Sequence, residues 1–582
     1  MAPLIEIDHV GFEYAIPGGK TIPALRDISL KIEEGEYIAI VGANGSGKTT
    51  LARHFNALLV PTSGKVLVAG LDTRERKNYQ SIRRAVGMVF QFPEDQIVAT
   101  VVEQDVAFGP ENLGLEPAEI RKRVDEALKE VDLWDQRLRP PHLLSAGQMQ
   151  RVALAGALAM QPRCIVFDET TAMLDPAGRR MVIENMDRLH RNGMTILSIT
   201  HFMDEAARAD RVIVLSHGEI AMDGSPVQVF SNAERLAALG LDIPPAARIA
   251  RELRQYLPEL GDGLLTADLL INAIPPFMRT SEQIVYPSTD VVVRPEEKPA
   301  IIVKDLGHTY LSGTPLSYRA LNGVSLQVKE KSAFGIVGAT GSGKSTLLQH
   351  LNGLLRPQEG SVRVGPYDLS SQKLDIKAVR RLAGLVFQIP ETQLFEQYVG
   401  DEIAYGPRLL GVKENLREQV RWAMEIVGLD FESYKDRLTF RLSGGERRKV
   451  ALASVLALKP EILLLDEPAA GLDPAARRDL LARLKQMQSE GITLVFSSHQ
   501  MEDMAVLAEQ LTVINNGRDV MTGSTREVFS QTERLKDLGL EPPIVTRVSD
   551  GMRKQGWPLS AGITTRALLI EEVGQLMGDP IG

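Results

Sequence analysis

Two lysines 296 residues apart stand in the same nine-residue frame. The first frame is Gly42-Ala43-Asn44-Gly45-Ser46-Gly47-Lys48-Thr49-Thr50, and the second is Gly338-Ala339-Thr340-Gly341-Ser342-Gly343-Lys344-Ser345-Thr346. Each follows a short apolar run and precedes a helical pattern. Glycines there let backbone N–H groups turn inward around phosphate oxygens, and a helix N-terminus adds positive potential. In such a loop Lys48 and Lys344 reach the β and γ phosphates of a nucleotide, and Thr49 and Ser345 offer a hydroxyl to Mg²⁺.

Further along, Asp168-Glu169 and Asp466-Glu467 end apolar strands. Adjacent carboxylates at the end of a buried strand are costly unless a cation or a reacting group uses them. Asp168 and Asp466 therefore suit a Mg²⁺ shell, and Glu169 and Glu467 suit a base that orients water. Gln91 and Gln388 offer a neutral amide to the metal or to that water. His201 and His499 follow an apolar strand and one polar residue, Thr200 and Ser498. A lone histidine there reads as a hydrogen-bonded structural residue. Its repetition beside the other motifs assigns it to the nucleotide site.

These residues recur because the chain repeats itself. The offset is 297 between Gln91 and Gln388, and 298 between Asp168 and Asp466 and between His201 and His499. Leu144-Ser145-Ala146-Gly147-Gln148 returns as Leu442-Ser443-Gly444-Gly445-Glu446. At roughly 150 residues per domain, 582 residues allow about four domains or two large ones, and the repeat selects two copies of one fold. Short apolar runs such as Ile38–Val41, Cys164–Phe167 and Thr195–Ile199 predict a parallel sheet covered on both faces. Ala118 to Val131 reads as a helix, with Pro117 near its start. The copies divide as 1–230 and 301–529, with helical extensions at 231–273 and 530–582. The Pro-rich stretch 274–300 reads as a linker, in which Ile284-Val285-Tyr286 and Val291-Val292-Val293 are candidate extended segments.

Composition narrows the setting. A single cysteine, Cys164, excludes an intrachain disulfide framework and fits a reducing compartment. No run of 18 apolar residues occurs, and the first residues lack a signal peptide's basic end and apolar core. The formal charge of -9 argues against a nucleic-acid binder.

The ordered set of phosphate loop, Gln loop, Leu-Ser-Gly-Gly-type signature, Asp–Glu strand, Leu-Asp and final His resembles the ATP-binding-cassette (ABC) ATPases over both halves. The resemblance implies tandem α/β P-loop cassettes, each with a RecA-like core, an antiparallel β subdomain, a helical signature subdomain and a small C-terminal helical extension. It also implies ATP and Mg²⁺ as cofactors and head-to-tail pairing of the cassettes. One site would then join Lys48, Thr49, Gln91, Asp168, Glu169 and His201 to Ser443, Gly444, Gly445 and Glu446. The other would join Lys344, Ser345, Gln388, Asp466, Glu467 and His499 to Ser145, Ala146, Gly147 and Gln148. Tyr14 and Tyr310 match the aromatic that stacks on adenine, and Leu174-Asp175 and Leu472-Asp473 match a loop that communicates between sites. Ala146 departs from the usual glycine, and Thr170-Thr171-Ala172-Met173 departs from Pro468-Ala469-Ala470-Gly471. Both halves keep Glu and His, so two hydrolysis-competent sites are expected.

The stretches Gln91-Phe-Pro-Glu-Asp-Gln96 with Asp105-Val-Ala-Phe-Gly-Pro110, and Gln388-Ile-Pro-Glu-Thr-Gln393 with Asp401 to Pro407, look like ATPases of energy-coupling factor (ECF) transporters. That likeness implies import of vitamins or cobalt- or nickel-like ions. It places the chain on the cytoplasmic face of the membrane, bound to a transmembrane coupling subunit and a small substrate-binding membrane subunit. Glu94, Asp95, Glu103 and Asp105, with Glu391, Glu396, Asp401 and Glu402, are candidate partners for arginines of that subunit. Other readings are the ATPase of another importer class, or a soluble tandem ATPase acting on ribosomes or DNA. The latter predicts a basic linker, whereas this one carries Glu282, Asp290, Glu296 and Glu297.

Overall fold

The computed structural model describes residues 2–16, 20–172, 174–277, 298–314, 316–389, 393–412 and 414–578. The candidate extended segments of the linker, its four acidic residues, Met173 and Glu391 lie outside the described residues. The chain divides into two compact units, one built on Met1–Ala273 and the other on Ile274–Leu472 with Ala476–Pro580.

In the first unit the strands are β1 (Ile5–Ile16), β2 (Lys20–Ile32), β3 (Tyr37–Val41), β4 (Ser63–Val68), β5 (Leu71–Asp72), β6 (Val86–Val89), β7 (Cys164–Asp168), β8 (Thr195–Ile199), β9 (Arg211–Ser216) and β10 (Glu219–Gly224). They form a four-stranded sheet in the order β2-β1-β4-β5 and a six-stranded sheet in the order β10-β9-β3-β8-β7-β6. In the larger sheet β6, β7, β8, β3 and β9 run parallel, and β10 is an antiparallel edge. The α/β expectation holds. Every residue of β3, β7 and β8 is buried, as a sheet covered on both faces requires.

Strand alternation assigns the two covers. Ile38 and Ile40 join Leu51, Ala52 and Phe55 of the helix Lys48–Phe55, and Ile5, Ile7 and Val66 of the small sheet, in one core. Ala39 and Val41 face the opposite core with residues of the helices Ala146–Ala159 and Pro176–Arg191. The helix that opens at the phosphate loop is thus held between two sheets. The predicted helix near Ala118 is Pro117–Glu130, with Pro117 in its first turn.

The second unit repeats this plan with β11 (Pro299–Tyr310), β12 (Tyr318–Lys329), β13 (Ala333–Val337), β14 (Glu359–Val364), β15 (Tyr367–Asp368), β16 (Ala383–Val386), β17 (Ile462–Leu465), β18 (Thr493–Ser497), β19 (Gln510–Asn515) and β20 (Arg518–Ser524). Its sheets are ordered β12-β11-β14-β15 and β16-β17-β18-β13-β19-β20. Short helices follow each large sheet, Ala233–Ala238, Pro245–Leu253 and Ala267–Ala273 in the first unit. Their counterparts are Thr532–Asp537, Ile544–Lys554 and Arg566–Met577. Among the described residues no helix is long and apolar enough to cross a membrane.

Candidate functional site

The phosphate loops leave β3 and β13 and enter helices at Gly47 (φ 105°) and Gly343 (φ 110°). A Cβ at Gly47 would also lie 2.7 Å from the Ala24 carbonyl oxygen, so the loop's path excludes any other residue there. Lys48 and Lys344 are buried. Lys48 Nζ donates to the carbonyls of Gly42 and Ala43 at 2.9 and 3.1 Å, and Lys344 Nζ donates to those of Gly338 and Ala339 at 2.8 and 3.0 Å. Each ammonium lies over the cradle that a polyphosphate would fill. It also faces the glutamate across the site, at 3.7 Å for Lys48–Glu169 and 3.9 Å for Lys344–Glu467.

Beside each lysine is an all-oxygen corner. Thr49 Oγ1 donates to Asp168 Oδ1 at 3.0 Å. Two ligands on adjacent corners of an octahedral Mg²⁺ site are separated by about 3 Å, given metal–oxygen distances of roughly 2.1 Å. The pair therefore fits that ion. In the second unit Ser345 also hydrogen-bonds Asp466, and Ser497 Oγ donates to Asp466 Oδ1 at 2.6 Å. Burial pushes the Asp168 carboxyl up to about 6, against the Thr49 hydrogen bond and with the neighbouring Glu169 charge adding to the rise. Asp466 is raised for the same first reason. A carboxylate whose charge is penalised by burial is one that a cation would relieve.

Glu169 and Glu467 leave the strand direction through a left-handed backbone, with φ of 49° and 46°. Non-glycine residues rarely adopt it. The turn carries each carboxylate away from the aspartate before it and toward the histidine-bearing loop. Glu467 Oε2 lies 2.7 Å from His499 Nδ1 and accepts from Gln388 Nε2 at 3.4 Å. In the first unit the Glu169 Oε2 to His201 Nδ1 separation is 3.9 Å. Burial alone would raise Glu467, but the His499 hydrogen bond and charge, with Lys344, outweigh it and hold the carboxyl below its ordinary value.

Other predicted residues have local duties. Ser145 and Ser443 are N-caps of the helices Ala146–Ala159 and Gly444–Leu456, and Gln148 and Glu446 return the bond in capping boxes. Asp175 caps the helix Pro176–Arg191. Tyr14 and Tyr310 each hydrogen-bond the threonine that follows the phosphate-loop Thr49 or Ser345, at 3.1 Å to Thr50 and 3.2 Å to Thr346. Gln96 closes the Gln91 loop, accepting from the Phe90 N–H and donating to the Met88 carbonyl, both at 3.1 Å.

The proposed acidic face is reduced by the structure. Asp105 accepts from the N–H groups of Val98 and Ala99, and buried Glu402 accepts from those of Phe395 and Glu396. Both carboxylates hold their own loops, and Glu402 is buried away from the surface. Glu103 pairs with Arg121 at 3.2 Å, and Asp401 pairs with Arg408 at 3.0 Å. The same stretches instead expose Val98, Phe108, Ile389, Phe395, Tyr398 and Leu409.

Three contacts around these residues escaped the sequence reading. Gln150, 2% exposed, donates through Nε2 to the carbonyls of Phe90 and Gln91. Arg448, its counterpart, donates to those of Gln388, Pro468 and Ala470. Ser497 holds Asp466. A polar residue buried in a helix that is apolar after its first two turns was the available signal for Gln150, and Arg448 stands at the repeated position.

A family model described as ABC transporter matches residues 25–172 and 321–470. An ABC transporter ATP-binding protein of Caldanaerobacter subterraneus subsp. tengcongensis is 34% identical over 548 residues, covering 91% of this chain and 93% of that relative. The energy-coupling factor transporter ATP-binding protein EcfA1 of Symbiobacterium thermophilum is 58% identical over 252 residues, 43% of this chain and 88% of its own length. The structure of cbiO1 from Clostridium perfringens, described as part of the ABC transporter complex cbiONQ, is 35% identical, covers 44% of this chain and 97% of its own, and has a TM-score of 0.38.

Proposed function

The chain belongs to the ABC transporter family, with two of its ATP-binding domains in tandem, and we propose that it is the energy-coupling ATPase of an ECF-type importer. The observation that carries the reading is the doubled site. Each unit brings a phosphate-loop lysine, a hydroxyl–carboxylate corner and a glutamate facing a histidine together. Lys48 and Lys344 balance charge on the terminal phosphates. Thr49 with Asp168, and Ser345 with Asp466, would hold Mg²⁺, which supplies charge neutralisation when bound. Gln91 and Gln388 complete that corner. Glu169 and Glu467 orient the attacking water and take its proton, and His201 and His499 steady the glutamate and the phosphoryl oxygens.

In this reading each nucleotide is closed over by the other unit's signature, Ser443-Gly444-Gly445-Glu446 on the first site and Ser145-Ala146-Gly147-Gln148 on the second. Tyr14 and Tyr310 stack on adenine. The likeness to EcfA1 chains supports the ECF subtype, and with it vitamins or cobalt- or nickel-like ions as cargo and a station on the cytoplasmic membrane face. Docking on a transmembrane coupling subunit falls to the exposed apolar side chains beside the glutamine loops, aided by Glu94, Asp95 and Glu396. Aromatic side chains on a surface are the usual anchors of such an interface.

The test is purification of the tagged chain from solubilised membranes. A multi-spanning protein should accompany it. Phe108→Asp with Phe395→Asp should release that protein while purified chain keeps its ATP turnover. Retention of the same membrane protein by the double variant would overturn the docking assignment, and absence of ATP turnover in the parent would overturn the whole reading.

A further inference from the structure

The two units differ at one buried cluster behind the catalytic glutamate. In the first unit Glu205, 4% exposed, lies in the short helix Met203–Ala206 just after His201. Its Oε2 accepts from Thr200 Oγ1 at 2.6 Å and from Thr171 Oγ1 at 3.0 Å. Its Oε1 accepts from Arg179 Nε at 2.6 Å. Thr200 precedes His201, Thr171 lies two residues after Glu169, and both are almost wholly buried. Arg179 also donates to Asp204 at 2.8 Å and stacks 3.9 Å over the Phe202 ring. One carboxylate thus bridges the turn after Glu169 and the loop that carries His201.

The second unit has the loop half of this arrangement only. Asp503 accepts from Arg477 Nε at 2.7 Å and from Ser498 Oγ at 3.3 Å. Opposite it, at the position of Thr171, stands Ala469, which has no hydroxyl to give. The longer acid and the hydroxyl occur together, and the shorter acid and the methyl occur together. A buried hydroxyl within reach of a carboxylate is stabilising only when the acceptor extends to it, which is a physical reason for the pairing.

We propose that Thr171 and Glu205 are a positioning pair peculiar to the first unit, tying the turn of Glu169 to the loop of His201 so that the first site's turnover depends on the tie. Neither residue touches nucleotide in this assignment. Their effect passes through the spacing of Glu169 and His201, so the inference rests on the roles given to those two residues above.

The experiment uses the full chain with Glu467→Gln, in which turnover comes from the first site. Adding Thr171→Val should lower kcat about tenfold to a hundredfold, the rate equivalent of one lost buried charged hydrogen bond, with KM for ATP unchanged. Thr171→Ser should restore kcat. Thr171→Ala with Glu205→Asp copies an arrangement the second unit already folds around, and it should show the same loss. Unchanged kcat, a shift of KM in step with kcat, or failure of serine to rescue would overturn the proposal. A chain with both Glu169→Gln and Glu467→Gln should be inactive. Turnover surviving there removes the role assigned to the glutamates, and the positioning pair with it.

Discussion

At the scale of single residues, Glu169 and Glu467 show a site working against its own backbone. A left-handed φ costs an L-residue about 1–2 kcal/mol, and glycine escapes most of that cost. Glu467→Gln and Glu467→Gly both remove the carboxylate, but only the second relaxes the turn. The glycine variant should therefore be the more stable of the two by about 1 kcal/mol in denaturant unfolding of the second unit, with second-site turnover lost in both. Equal stabilities would mean that the turn is unstrained. Lys48 and Thr49 were legible in the sequence because the loop's chemistry demands those residue types at that spacing, and Asp168 because adjacent carboxylates close a buried apolar strand. Ser497, Gln150 and the Thr171–Glu205 pair were not, because each acts through a contact between elements far apart in the chain. No local pattern announces such a contact. Glu402 is the candidate acid that the structure removes from the surface, because the loop before its helix folds back and donates two N–H groups to it.

At the scale of elements, the parallel strands could be read directly, since continuous apolar runs have few other uses. The covers of the phosphate-loop helices were not readable in the same way. His54 and His350 sit on the helices Lys48–Phe55 and Lys344–Leu351, wholly buried, each with Nδ1 2.7 Å from a carbonyl, of Thr50 or Thr346. Among the described residues His54 Nε2 has no hydrogen-bond partner, and the two rings rest edge-on against Phe12 and against His308. Burial holds both imidazoles below the ordinary value of 6.5, and for His350 the neighbouring His308 adds to the depression. The folded chain resists protonation there and the unfolded chain does not. The stability from these histidines is complete above pH 6.5 and is lost as pH falls below it. Asp168 works in the opposite sense over part of that range, so the variant must be compared with the parent. His54→Gln with His350→Gln should flatten the acid limb of the melting temperature plotted against pH. An unchanged limb would assign that loss of stability to other groups.

At the scale of the whole molecule, two copies of one plan share a backbone, which converts any pairing of unlike cassettes into an intramolecular step at an effective concentration on the order of mM. The same arrangement creates a hazard during folding. β3 pairs with β8 and β9, and β13 pairs with β18 and β19, all across long loops, so each large sheet must wait for strands made much later. Like strands of the two copies are natural competitors for one another. Synthesis separates them in time. β10 ends at Gly224 and β13 begins at Ala333, about 110 residues later, which is roughly 5–20 s of ribosome travel. Dilution from denaturant releases all strands together, so it should recover less ATP turnover per mole of chain than cell-free synthesis does. Equal recovery would show that the copies have diverged enough to ignore each other. The order of the strands along the chain therefore acts as a timetable, completing one sheet before its rival exists.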